Sequence, residues 1–135
     1  MAQRLSLLAT LGTATAALGA CAPAGEVPEE RGQAPVYQGI STILLDKDLV
    51  SLTVAMTGAK DGSDVEAYGR CAAAQYALDQ GFGFARQVRT IVKKDGQTWY
   101  GDAVYLLSAT RPEGLRTIVT AEAVAECEVL GIPSR

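Results

Sequence analysis

Residues 84–109 read FARQVRTIVKKDGQTWYGDAVYLLSA. Asp95-Gly96 sits at the middle, between two runs rich in β-branched and aromatic residues. Asp-Gly supplies the positive backbone angles that a tight hairpin turn demands. The stretch therefore reads as a hairpin, with strands at 84–94 and 98–109. Alternation along the first strand puts Phe84, Val88 and Val92 on one side and Ala85, Gln87, Arg89 and Ile91 on the other. On the return strand, Trp99, Ala103, Tyr105 and Leu107 oppose Tyr100, Val104 and Leu106.

Working outward, a second hairpin precedes this one. Residues 40–45 (ISTILL) are apolar and β-branched, and Asp46-Lys47-Asp48 interrupts them. Residues 49–57 then alternate, with Val50, Leu52, Val54 and Met56 on one face and Ser51, Thr53, Ala55 and Thr57 on the other, the pattern of a half-buried strand. Between the hairpins, Ser63 or Asp64 can cap a helix over 65–79, and Gly81 fits its left-handed stop. Ala72, Ala73 and Ala74 favour the helix and let it lie close to a sheet. After the second hairpin, Arg111-Pro112-Glu113-Gly114 is a turn and 115–119 (LRTIV) a last strand. Thr120 can cap a second helix over 121–130, with Val124, Cys127 and Leu130 inward and Gly131 as its stop. The order is β-β-α-β-β-β-α. It predicts an α+β domain, an antiparallel sheet of about five strands with two helices packed on one face.

The beginning of the chain has a different character. Arg4 precedes an apolar run from Leu5 to Ala20, too short and too diluted by Gly and Thr for a spanning helix of roughly 20 residues. The run ends in Leu18-Gly19-Ala20-Cys21, which resembles the lipobox of bacterial lipoproteins. The resemblance implies cleavage between Ala20 and Cys21 and a diacylglycerol on the Cys21 thiol. Ala22 follows the cysteine where an Asp commonly marks inner-membrane retention, so the outer membrane is favoured over the inner. Competing readings are an ordinary secretory signal cut at Ala20 and an uncleaved signal anchor. On the lipoprotein reading, residues 1–20 are the signal peptide. Residues 21–36 are the lipidated cysteine with a Pro-, Gly- and Glu-rich tether, and 37–135 form one globular domain.

The chain contains three cysteines. If Cys21 carries lipid, Cys71 and Cys127 remain in an oxidising compartment, where they are expected to form a disulfide. Two buried thiols are the alternative.

Composition narrows function. With a net charge of −3 the chain is a poor match for nucleic acid. It has no histidine, which removes the commonest general base and zinc ligand. No Ser, Lys or Cys nucleophile has an evident base, so no catalytic residue, metal or cofactor is assigned. Glu122/Glu126 and Asp61/Asp64 read as solvated charge, and Gly81-Phe82-Gly83-Phe84 as a helix stop and strand start. The residues carried forward as a partner or ligand surface are Arg86, Arg89, Trp99, Tyr100 and Tyr105. Against that stand an edge-protecting or solvated role for the arginines and core packing for the aromatics. The expected function is a non-enzymatic, lipid-anchored envelope module facing the periplasm. Its partners would be membrane lipid, through acylated Cys21, and another envelope protein. The alternative is a small-ligand-binding lipoprotein using the Trp99/Tyr100/Tyr105 region.

Overall fold

A computed structural model describes residues 33–135. The expected signal peptide, the lipobox expected at Cys21 and the expected tether up to residue 32 lie outside the described residues. The elements are β1 (Val36–Leu44), β2 (Leu49–Thr57), α1 (Gly62–Asp79), β3 (Phe84–Asp95), β4 (Thr98–Ser108), β5 (Thr117–Val119) and α2 (Thr120–Leu130). The expected α+β order is the observed one. β1 starts at Val36, four residues before the apolar run that marks it in the sequence.

The five strands form one antiparallel sheet in the order β1-β2-β4-β3-β5. Both hairpins form, and β4 joins them by pairing with β2, Val54 opposite Gly101 and Met56 opposite Trp99. Gly96 takes the positive φ of 63° that the hairpin turn requires. Val50, Leu52, Val54 and Met56 of β2 are fully buried under the helices.

α1 packs on β2, β3 and β4, and α2 packs beside α1 and on β5. Small residues set the distance between layers. A Cβ added at Gly69 of α1 would lie 3.2 Å from the Ala103 methyl on β4. Residues 71–75 of α1 are buried all round, because the sheet lies on one side and α2 on another. Cys71 and Cys127 join the two helices in a disulfide with a Cα–Cα distance of 6.0 Å.

Local details depart from the sequence reading in five places. The cap of α1 is Asp61, whose carboxylate accepts from the Ser63 N–H. Those bonds to Ser63 hold the Asp61 carboxyl below its ordinary range. Ser63 and Asp64 instead lie inside the first turn. At the second helix, Thr120 makes no cap bond; it is fully buried, and its hydroxyl donates to the Phe82 carbonyl at 2.8 Å. The last strand is only three residues long, because Arg116 adopts a left-handed φ of 65° and Leu115 stays in the loop, exposed. Leu130, expected inward, is also exposed.

The fifth departure changes which residues face where. β3 has a bulge between Gln87 and Arg89. A bulge inserts one residue and reverses the side-chain alternation beyond it. Ala85 and Val92 therefore share the helix-covered face, while Val88 and Ile91 are exposed.

Candidate functional site

The two edges of the sheet differ sharply. On one side, β5 covers β3 only from Phe84 to Arg86. Beyond that point the β3 edge carries Arg89, Lys93 and Lys94, and charged side chains discourage pairing with a foreign strand. On the other side, β1 is an open nine-residue edge, VYQGISTIL, with no charge in it. Val36, Ile43, Leu44 and the adjoining Leu45 are each more than half exposed. Strand order leaves it open: the second hairpin adds to β2 through β4, and β1 is left outside.

The sheet face opposite the helices carries Arg86 and Arg89 from β3 and Tyr100, Asp102, Val104 and Leu106 from β4, as the register requires. Arg89 sits opposite Val104 and its guanidinium reaches Asp102 at 3.8 Å. Ser51 of β2 donates to the same carboxylate at 3.1 Å. Val104 is buried although no helix of the described residues covers this face, and its cross-strand neighbours are Ser51 of β2 and Arg89 of β3.

At one end the 110–116 loop folds back over this face. Arg111 stands 5.1 Å over the Phe84 ring, and a Cβ at Gly114 would lie 3.6 Å from an Nη atom of Arg86. Arg86 and Thr117 are direct cross-strand partners. The Arg86 Nε and the Thr117 Oγ1 are both buried without a hydrogen-bond partner.

The aromatic trio does not form one surface. Tyr100 lies on the uncovered face and is 42% exposed, whereas Trp99 is half-buried on the helix side beneath Lys94 Nζ, 5.0 Å from the ring centre. Tyr105 is core, 2% exposed, and burial pushes its phenol up to about 12. Only Arg86, Arg89 and Tyr100 of the surface candidates share a face. The sequence reading passed over β1, whose one signal is the absence of charge between Val36 and Leu44, and over Thr117, whose position beside Arg86 follows only from strand order.

A shallow pocket of ≈ 200 Å³ lies between β1, α1 and the segment after α2, lined by Ile40, Thr42, Gln75, Tyr76, Asp79 and Ser134 among others. Its polar groups bind one another: Ser134 donates to Gln75, Gln75 donates to Asp79, and Arg135 pairs with Asp79 at 3.0 Å. It is smaller than the roughly 300–1,000 Å³ of ordinary ligand pockets. Among the described residues no group of three or more His, Cys, Asp or Glu is placed to hold a metal ion, and no helix is long and apolar enough to cross a membrane.

Residues 37–131 match the family model described as the YNQ4 C-terminal domain. A relative from Paracoccus denitrificans, an uncharacterized 26.9 kDa protein in the nqo8 5′ region, is 34% identical over 86 residues. The match takes in 64% of this chain and 34% of that protein, so the chain spans about a third of the relative's length. No solved structure matches the chain.

Proposed function

We infer a function for a chain that belongs to the YNQ4 C-terminal domain family: it is a lipid-anchored module on the periplasmic side of the outer membrane that docks another protein through the β1 edge. It works by binding rather than by catalysis. The observation that carries the docking is the contrast between edges. One carries Arg89, Lys93 and Lys94 along β3 beyond the short β5, while the other is uncharged and ends in exposed Ile43, Leu44 and Leu45. A row of open backbone N–H and C=O groups is a template for strand addition.

The anchor rests on Leu18-Gly19-Ala20-Cys21 and on cysteine pairing. With Cys71 bonded to Cys127, Cys21 is the cysteine left for lipid. Metabolic labelling with a fatty acid tests it. Wild type should incorporate label and sediment with membranes, and Cys21→Ala should do neither. An unlabelled wild-type protein in the soluble fraction would remove the anchor from the proposal.

A second reading has its own observation. The buried, unpartnered Arg86 Nε and Thr117 Oγ1 beneath Gly114 suit a small carboxylate or phosphate that enters when the 110–116 loop lifts. Phosphate or acetate should then raise the melting temperature of wild type but not of Arg86→Gln. Equal shifts in both would exclude this site.

A further inference from the structure

We propose that the occupant of the β1 edge is the β1 edge of a second copy, the two sheets joining about a two-fold axis at Thr42. This rests on the docking reading above and names its partner.

The argument begins with what can cover such an edge. Its backbone groups need a strand, and β1 is a strand available in every copy. Antiparallel pairing of β1 with itself is self-complementary, the property of an isologous two-fold interface. Pairing within one continuous sheet requires that opposed residues point to the same face. Ile40 and Leu44 lie on the helix side, opposite Val54 and Val50 of β2, and Ser41 and Ile43 lie on the other. A two-fold axis at Thr42 then sets Ile40 against the second copy's Leu44, and Ser41 against its Ile43. Two of the exposed apolar side chains are covered at each end of the seam.

Neighbouring registers are poorer. An axis at Ser41 brings Leu44 onto Gln38, where β1 is bulged between Tyr37 and Gly39. An axis at Ile43 places Asp46 against Ile40. At Thr42 the Asp46 carboxylate meets the Gln38 amide at the seam's end, and no charge faces a like charge. The pocket floored by Ile40 and Thr42 lies along the same seam.

Anchoring is compatible with this geometry. In the pair, the two Val36 residues are about twelve residue steps apart, roughly 40 Å at strand spacing. Each is preceded by the 22–35 tether, which extended reaches about 45–50 Å. Two copies held on one bilayer can therefore pair with both lipids inserted, and confinement to the membrane raises their effective concentration.

The test uses the full-length protein in its own membranes. Thr42→Cys supplies a free thiol on the axis, Ser41→Cys a second reporter on the other face, and Lys93→Cys a control on the distant charged edge. A short bismaleimide is added and products are resolved by mass. The expected result is a product of twice the monomer mass for Thr42→Cys and Ser41→Cys and none for Lys93→Cys. A Thr42→Cys product with a different protein keeps the docking reading and overturns the second copy. No product at either reporter overturns both. Doubled-mass product from Lys93→Cys in equal yield marks chance encounter and overturns the pairing.

Discussion

Gly101 of β4 lies directly beneath Val65 of α1. A Cβ added at Gly101 would stand 2.7 Å from Val65 Cγ1, closer than real Cβ contacts come, and a tight 3.1 Å from Val54 Cγ2. Both valines are fully buried and β-branched, so neither can rotate away freely. Gly101→Ala should therefore push α1 off the sheet and cost about 1–3 kcal/mol. Chemical denaturation measures it. Restoring space with Val65→Ala in the same chain should recover part of the loss.

The Cys71–Cys127 bridge spans a sequence separation of 56 and ties the helix layer together. Closing a loop of that size stabilises by about 4 kcal/mol in the chain-entropy model. The Cys71→Ser, Cys127→Ser double variant should unfold at markedly lower guanidinium concentration than wild type. Reductant should lower the wild-type midpoint and leave that of the variant unchanged.

Alkaline stability should depend on Tyr105. Its phenol, ordinarily near 10.0, is raised to about 12 by burial. Between those values the folded chain keeps a proton that the unfolded chain has lost. The stability present below pH 10 is thus lost as pH rises through 12. Burial raises Tyr68 and Tyr37 in the same direction. Tyr105→Phe should shift the alkaline unfolding midpoint upward, followed by tyrosinate absorbance and circular dichroism. With no histidine in the chain, stability should be nearly flat from about pH 6 to 9.

Thr120 distinguishes a cap from an internal tie. Its buried hydroxyl binds the Phe82 carbonyl, and its N–H binds the Gly83 carbonyl at 3.0 Å. Thr120→Val keeps the shape and removes the donor to the part-buried Phe82 carbonyl, at a cost of about 1–3 kcal/mol. Thr120→Ser should keep most of the stability. Denaturation midpoints of the two variants separate hydrogen bond from packing.

Arg89 makes the opposite case. Its pair with Asp102 at 3.8 Å is about half exposed on both sides. Arg89→Ala should change stability by less than about 1 kcal/mol. A double-mutant cycle with Asp102→Ala should give a small coupling that shrinks further in high salt.

The strands were legible because their signals are local. Asp95-Gly96 announces its turn, and Val50, Leu52, Val54 and Met56 announce a face by alternation. The bulge at Val88 has no such mark, since an extra residue leaves composition untouched while reversing every later side chain. The α1 cap was ambiguous because Asp61, Ser63 and Asp64 all offer oxygens within one turn. Arg116 ends β5 early through a backbone angle that an arginine does not advertise. The proposed docking edge was hidden for a deeper reason. Whether β1 is central or peripheral is decided by β4 pairing with β2 across some fifty positions of chain, and no local pattern encodes that.

The bridge between the helices also governs how the domain would respond to tension. A pull transmitted from the tether and resisted at Arg135 can draw out only the segments before Cys71 and after Cys127, because the covalent clasp shields everything between them. β1, which pairs in the sheet with β2 alone within one copy, would peel first. The hairpin of β3 and β4 lies inside the closed ring, a fixed remainder that force on the chain ends cannot stretch out.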